Sequence, residues 1–154
     1  MWRSLTRGPV DDIVATVQGL AGEVDVAIHI GTDSQECAGH TDFVTVVALI
    51  HPARGGRVFY RKDRVHHRYD LARRLYREAE LSLQVALELN DAVLQEIVVH
   101  VDANEDPRHR SSRFVHGLAG LVRGYGFQVQ LKPGAWCATH VADHLVKERH
   151  RRAA

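Results

Sequence analysis

The sequence lacks several features that would each indicate a particular class of protein. Among its 154 residues there are two cysteines, Cys37 and Cys137, which give neither a disulfide framework nor a cysteine spacing typical of metal sites. No segment approaches the roughly 18 consecutive apolar residues of a membrane span, and the N-terminal residues lack the apolar core of a secretory signal. We therefore expect a cytoplasmic protein with reduced thiols and no membrane partner.

A strong net charge is also missing. The 20 Lys and Arg residues nearly balance the 19 Asp and Glu residues, and a net charge of +1 gives no overall basic signature for nucleic acid. Residues 61–77 and 147–154 are nevertheless rich in cations, and 17 of the 20 cationic residues are arginine, whose planar guanidinium suits phosphate oxygens. Genomic base composition and solvated helix faces explain the same pattern, so these patches permit nucleic-acid binding without indicating it.

The pattern along the chain predicts an α/β fold of the order β-β-β-α-β-α-β-α, preceded by a helix that starts at Pro9. Three strands with short connections come first, at residues 24–33, 41–51 and 55–62, and predict an antiparallel meander. Helices then alternate with strands, at 68–90, 94–102, 112–126, 127–134 and 138–152. We find no repeat or linker, so we expect one domain over residues 1–154, with a mixed five-stranded sheet flanked by helices.

Two apolar segments of the chain each run into an aspartate. In "IHIGTDSQ" (28–35) the isoleucines share one face and Asp33 lies on the other; in "IVVHVDAN" (97–104) the apolar residues again share a face that Asp102 avoids. A carboxylate beside a hydrophobic sheet costs free energy unless a partner or a function compensates it. If the two strands are neighbours, Asp33 and Asp102 are expected to lie side by side at the strand ends.

A third acid lies on the apolar stripe of the first long helix. At about 100° per residue, Glu78 falls within about 60° of the core-facing side chains, whereas Glu80 lies on the solvent face. That core-facing stripe consists of Leu71, Leu75, Ser82, Val85 and Leu89. A carboxylate on such a stripe needs a partner, which is either a nearby arginine or a functional group.

Three converging carboxylates offer the oxygen ligands that Mg²⁺ and Mn²⁺ prefer. Two such ions about 3.5–4 Å apart activate a water and stabilise the leaving oxygen in phosphodiester cleavage. Without a metal ion, the clustered acids repel each other and some of them stay protonated. The spacing therefore favours a divalent-cation site.

Several segments together resemble the YkuK-type bacterial proteins, which are placed in the ribonuclease H-like superfamily and are largely uncharacterised. The resemblance covers residues 24–147 and rests on "IGTDSQ", "FVTVVALI", "FYRK", "IVVHVDAN" and "LKPGAWCATHVADHLVK". It implies a ribonuclease H-like fold with Asp33 and Asp102 as its strand aspartates and Glu78 as its helix glutamate. It also implies that Asp143, in the last helix, completes the set of metal ligands and catalytic acids.

Asp143 has an ordinary alternative role. It points away from the apolar face of its helix, which is what a surface aspartate does, although a helix beside a site can present its outer edge to that site. In the same helix, His140 and His144 have the i, i+4 spacing of zinc ligands, but the glutamate of metalloprotease chemistry is missing. The two cysteines lack a CxxC motif and a defined base, so we interpret them as small apolar residues.

Three further residues are candidates for binding substrate. Lys132 ends the fifth predicted strand near the expected phosphate position, and Ser34 and Gln35 follow Asp33. Each of the three is equally explained as a turn residue.

The sequence thus predicts a nuclease or related phosphodiester hydrolase that depends on Mg²⁺ or Mn²⁺ and acts on nucleic acid. The alternative from another class is a non-catalytic nucleic-acid-binding or interaction module on the same scaffold. RNA, DNA and hybrid substrates all stay open, as does the oligomeric state.

Overall fold

The computed structural model describes residues 1–22 and 25–138. Within these residues the chain forms seven β-strands, three α-helices and one 3₁₀ helix. In chain order they are β1 (Trp2–Ser4), β2 (Gly8–Val10), α1 (Ile13–Ala21), β3 (Ala27–Cys37), β4 (His40–His51), β5 (Gly55–Val65), α2 (Leu71–Asn90), β6 (Ile97–Asn104), the 3₁₀ helix (Arg110–Phe114), α3 (Val115–Gly124) and β7 (Gln128–Lys132).

All seven strands belong to one mixed sheet in the order β2-β1-β5-β4-β3-β6-β7. The strands from β2 to β3 are antiparallel neighbours, whereas β6 and β7 run parallel to β3. Parallel neighbours need crossover connections, and α2 and α3 occupy the connections from β5 to β6 and from β6 to β7. The predicted mixed α/β sheet with its antiparallel meander is confirmed.

The N-terminal region differs from the prediction. Pro9 lies in β2 and does not begin a helix; α1 starts at Ile13, where the Asp12 side chain accepts a hydrogen bond from the backbone N–H of Ala15 at 2.9 Å. Strands β1 and β2 extend the sheet from the predicted five strands to seven. Because β2 is the edge strand, proline is tolerated there: one side of the strand has no ladder partner for its backbone.

Helix α2 is the central helix of the fold. Its range contains neither glycine nor proline, and the Asp70 side chain caps its N-terminus by accepting a hydrogen bond from the N–H of Arg73 at 2.8 Å. The buried stripe of the helix packs on one face of the sheet, in a core cluster that includes Ile28, Ile30 and Val99. Burial of this stripe fixes the rotation of α2, and therefore the direction of every polar side chain on it.

The opposite face of the sheet carries a smaller apolar cluster, in which Val46 and Ala48 of β4 pack with Cys137 and Ala138. The predicted last helix at 138–152 lies outside the described residues apart from Ala138, as does Asp143. Within the described part of the chain, no helix is both long and apolar enough to cross a membrane.

Candidate active site

The site is centred where strands β3 and β6 separate. Their parallel pairing ends with Gly31 opposite His100, a difference of 69 in residue number, and the same offset places Asp33 level with Asp102. Alternation along each strand puts both aspartates on the same face of the sheet. The predicted adjacency of the two strands is therefore observed, and their two aspartates lie just beyond the last backbone pair.

The strands do not end at the aspartates, and the prediction that they do is wrong. β3 continues to Cys37 because it stays paired with β4, with Asp33 opposite Val44, and β6 continues to Asn104. The aspartates thus lie within strands, where a fixed backbone limits how far each carboxylate can move.

A bulge in β6 positions Asp102. Val101 pairs with Leu131 of β7, but the next pair is Asn104 with Lys132, so Asp102 and Ala103 are left out of the ladder. Bulges of this kind redirect a side chain and are common next to active sites. The Asp102 Oδ1 atom accepts an ion-pair contact from the Lys132 ammonium group, which lies at the end of β7. Lys132 thus contacts Asp102, a predicted metal ligand. A contact between Lys132 and a substrate phosphate remains a prediction.

Glu78 enters the site from α2. The predicted burial of this side chain is confirmed, because it is only 6% exposed, whereas Glu80 lies on the exposed face of the helix. The Ser34 hydroxyl donates a hydrogen bond to Glu78 Oε1, and the Oε2 atom is buried without a hydrogen-bond partner among the described residues. The alternative of a nearby arginine partner is met only in part: the Arg74 charge acts on this carboxyl, but its described hydrogen bond comes from Ser34.

Burial is the main electrostatic fact about Glu78. Burial first, and then the charges of Asp33 and Asp102, raise the pKa of the carboxyl to about 8, although the Ser34 hydrogen bond and the Arg74 charge act to lower it. Asp33 and Asp102 therefore lie close enough to Glu78 for their charges to act on it, at the point where β3 and β6 separate. Without a cation, a proton is the simplest way to compensate Glu78 at neutral pH.

These residues fit a divalent metal ion on chemical grounds. The donors are carboxylate oxygens, as hard cations require, and one of them, Glu78 Oε2, is an acceptor that no described group satisfies. A buried acceptor of this kind is costly unless something binds it. Binding of Mg²⁺ or Mn²⁺ by the three acids stays a prediction, because their ligand atoms do not all lie within 4.8 Å of one another and Asp143 lies outside the described residues.

The structure places the two predicted substrate-binding residues of β3 differently. Ser34 connects two acids, because its N–H donates to Asp33 Oδ1 at 2.8 Å and its hydroxyl donates to Glu78. Gln35 is exposed, pairs with Asp42 of β4 and shares a face with Asp33. Ser34 thus lies inside the cluster of acids, and Gln35 lies beside it on an open surface.

Sequence reasoning missed a histidine pair that lies directly before the aspartates on the same sheet face. His29 Nδ1 lies 2.9 Å from His100 Nε2, and His100 Nδ1 accepts a hydrogen bond from the Trp136 backbone N–H at 3.2 Å. His100 must therefore donate from Nε2 to His29. Burial lowers the pKa of His100 to about 4 and also lowers that of His29, so both rings are neutral at pH 7. The sequence feature that could have revealed this pair is the alternation along the strand, which places His29 and Asp33 on one face.

Gly31 lies between these histidines and the acids and leaves room for close packing. A Cβ atom at this position would lie 3.3 Å from the Cβ atoms of both Cys137 and His100. The segment that carries Trp136 and Cys137 therefore packs closely against the end of the β3–β6 pairing.

The comparison with protein families agrees with this architecture. The family model described as ribonuclease H-like matches residues 9–147, which is most of the chain. The chain belongs to the ribonuclease H-like family. No curated protein and no solved structure matches it significantly. Membership of this ribonuclease H-like family accounts for the mixed sheet with α2 on one face, and connects the fold with nucleic-acid chemistry in general terms.

Proposed function

We propose that this ribonuclease H-like protein is a metal-dependent nuclease, or a related phosphodiester hydrolase, that acts on nucleic acid. The observation that carries the proposal is the Glu78 carboxyl, which is buried beside Asp33 and Asp102 with one oxygen unsatisfied among the described residues. Family membership supports the proposal but does not establish it, because function depends on sites and not on folds. The resemblance of several motifs to YkuK-type proteins is also part of this proposal.

The acids share one task in this proposal, which is to hold the metal ions. Asp33, Glu78 and Asp102 would hold Mg²⁺ or Mn²⁺, and Asp143 would complete the set. When bound, a pair of such ions supplies an activated water and charge stabilisation for in-line attack at phosphorus. Ser34 fixes the Glu78 carboxyl by hydrogen bonding to one oxygen, which leaves the other available.

Lys132 would supply a positive charge for the substrate phosphate once a metal ion binds Asp102. Its ammonium contacts Asp102, and its side chain is 36% exposed. A metal ion on Asp102 would compensate the carboxylate and free the ammonium for a phosphate oxygen. The surrounding arginines would add salt-sensitive contacts to the nucleic-acid backbone.

The direct test is cleavage of labelled single-stranded, duplex, hybrid and branched nucleic acids with Mg²⁺, Mn²⁺ or EDTA. Asp102→Asn, purified in the same way, is the control for contaminating nuclease, because it removes a charge without changing the size of the side chain. We expect metal-dependent cleavage that is lost in Asp102→Asn while binding of the substrate is kept. Equal cleavage by both proteins would contradict the assignment of Asp102.

One observation favours the non-catalytic nucleic-acid-binding module as a second candidate. The Lys132 ammonium forms an ion pair with Asp102, so this carboxylate already has a cationic partner within the protein. This candidate predicts nucleic-acid binding that is unchanged by EDTA and no cleavage of any substrate in the panel. Substitution of Lys132 by Gln would then weaken binding without exposing any metal dependence.

A further inference from the structure

The far end of the β3–β4 hairpin carries a second cluster of possible metal ligands. Cys37 and His40 flank the two-residue turn and are directly paired across the hairpin. Gly39 occupies that turn with a φ of +80°, a conformation that glycine adopts readily. Asp42 lies two residues after His40 and therefore shares its face. The spacing Cys37-x₂-His40-x-Asp42 thus places a thiol, an imidazole and a carboxylate on one side of the sheet.

Distances within the cluster suit a bound ion better than direct contacts. One ligand atom from each of the three residues lies within 4.8 Å of the other two. His40 Nε2 is 3.7 Å from Asp42 Oδ2, which is too far for a hydrogen bond. The same nitrogen is buried and has no hydrogen-bond partner in the described part of the chain. Two ligands at zinc distances of about 2.0–2.3 Å lie roughly 3.3–3.6 Å apart in a tetrahedral site, so little movement is needed.

We propose that Cys37, His40 and Asp42 form a zinc site at this hairpin. A thiolate together with an imidazole selects a borderline-soft ion such as Zn²⁺ over Mg²⁺. Three protein ligands leave a fourth position for water or another donor. Asp33 lies four residues before Cys37 on β3, about 13 Å away at the usual rise per residue. The zinc site is therefore separate from the three acids and does not depend on the proposed nuclease function.

Two cations of β5 compete with zinc for Asp42. Lys62 Nζ lies 2.6 Å from Asp42 Oδ2, and Arg64 Nε lies 2.7 Å from Oδ1. The Arg64 and Lys62 hydrogen bonds hold the pKa of Asp42 well below its usual range, and a zinc ion would have to replace some of them. The side chains of Lys62 and Arg64 are 36% and 44% exposed, which lets their charged groups turn towards solvent. Zinc binding at Oδ2 must displace both Lys62 Nζ and Arg64 Nη2, which lies 3.1 Å from the same oxygen.

Cobalt substitution of the full-length protein tests the site directly. The chain is stripped with EDTA, titrated with Co²⁺ and followed by absorbance, and Zn²⁺ is then added as a competitor. We expect one equivalent of Co²⁺ to give tetrahedral d–d bands and a thiolate-to-cobalt charge-transfer band, both removed by Zn²⁺. Cys37→Ser should lose the charge-transfer band, whereas Cys137→Ala and Asp102→Asn should keep it.

Affinity measurements with a chromophoric zinc chelator separate this site from other zinc-binding groups. Lys62→Gln should bind Zn²⁺ on the order of tenfold more tightly, because it removes one of the two cations that contact Asp42 Oδ2. His40→Gln should bind Zn²⁺ more weakly. Circular dichroism checks that each variant is folded. A wild-type cobalt spectrum without the charge-transfer band, or a band that survives Cys37→Ser in a folded protein, would overturn the proposal. A metal ion held instead by the His140 and His144 pair, which offers no thiolate, would give the first of these results.

Discussion

Replacing Glu78 with glutamine is expected to stabilise the protein increasingly as the pH rises. The glutamine side chain has the same shape and keeps an acceptor for the Ser34 hydroxyl, but it removes the charge that burial disfavours. The pKa of Glu78 in the folded chain is about 8, against an ordinary value of 4.5. The folded state therefore holds a proton that the unfolded state releases within this range, and wild-type stability falls as the pH rises through it.

The size of the effect follows from the same two values. Each pKa unit corresponds to about 1.4 kcal/mol, so the wild type loses up to about 5 kcal/mol between pH 4.5 and 8 through this group. Such a loss is a large part of the roughly 5–15 kcal/mol that stabilises a typical domain. Glutamine leaves an unpaired amide group where Oε2 lies, much as the protonated acid does. For this reason the test is how the difference in unfolding free energy between Glu78→Gln and the wild type changes with pH. The size of that difference at any single pH does not test the reasoning.

The assay is urea unfolding at several values between about pH 5 and about pH 8, with EDTA present to exclude metal ions. Glu80→Gln is the matched control, because it makes the same chemical change on the exposed face of the same helix, where Glu80 forms an exposed ion pair with Arg77. The advantage of Glu78→Gln over the wild type should grow towards high pH, and that of Glu80→Gln should stay flat. Parallel stability curves for wild type and Glu78→Gln would refute the reasoning from burial.

The same titration in Mg²⁺ links stability to metal binding. An ion that binds only the folded wild type stabilises it by mass action, and it favours the ionised form of Glu78. We therefore expect Mg²⁺ to reduce the advantage of Glu78→Gln, most strongly at high pH. An advantage that is identical in Mg²⁺ and in EDTA would show that Glu78 does not bind the ion.

Three further predictions concern packing, capping and charge. Gly31→Ala should cost about 1–3 kcal/mol by overpacking against His100 and Cys137, whereas Gly120→Ala, on the open face of α3, should stabilise by up to about 1 kcal/mol in the same urea assay. Asp12→Ala should cost about 1 kcal/mol through loss of the α1 cap, and Asp11→Ala should be nearly neutral by comparison. Lys132→Gln should lower the salt-dependence slope of nucleic-acid binding by about 1, measured by fluorescence anisotropy; an unchanged slope would contradict a phosphate contact.

Periodicity explains why most of the fold could be predicted from the sequence. A twenty-residue helix such as α2 repeats its apolar stripe over several turns, so the side on which Glu78 lies is over-determined. Long strands such as β4 are similarly marked by their composition. The three-residue strands β1 and β2 contain too few residues for any period, and the proline at the edge of the sheet resembles a helix start equally well.

The candidate site could be predicted only in part, for a geometric reason. Alternation shows which face Asp33 and Asp102 occupy, but their relative height depends on the register between β3 and β6, which no local pattern encodes. The bulge at Asp102 and the contact with Lys132 likewise depend on how β7 pairs with β6. Sequence therefore identified the acids as candidates, and the strand pairing is what relates them in space.

The two candidate metal sites on β3 should separate by the chemistry of their ligands. Asp33, Glu78 and Asp102 offer carboxylate oxygens alone, which suits hard ions, whereas the hairpin offers a thiol and an imidazole together with Asp42. Asp102→Asn should therefore abolish stabilisation by Mg²⁺ and leave the cobalt spectrum intact, and Cys37→Ser should do the reverse. If either substitution removed both responses, the two clusters would form a single coupled site, and the separation of about 13 Å inferred along β3 would not describe the metal-bound protein.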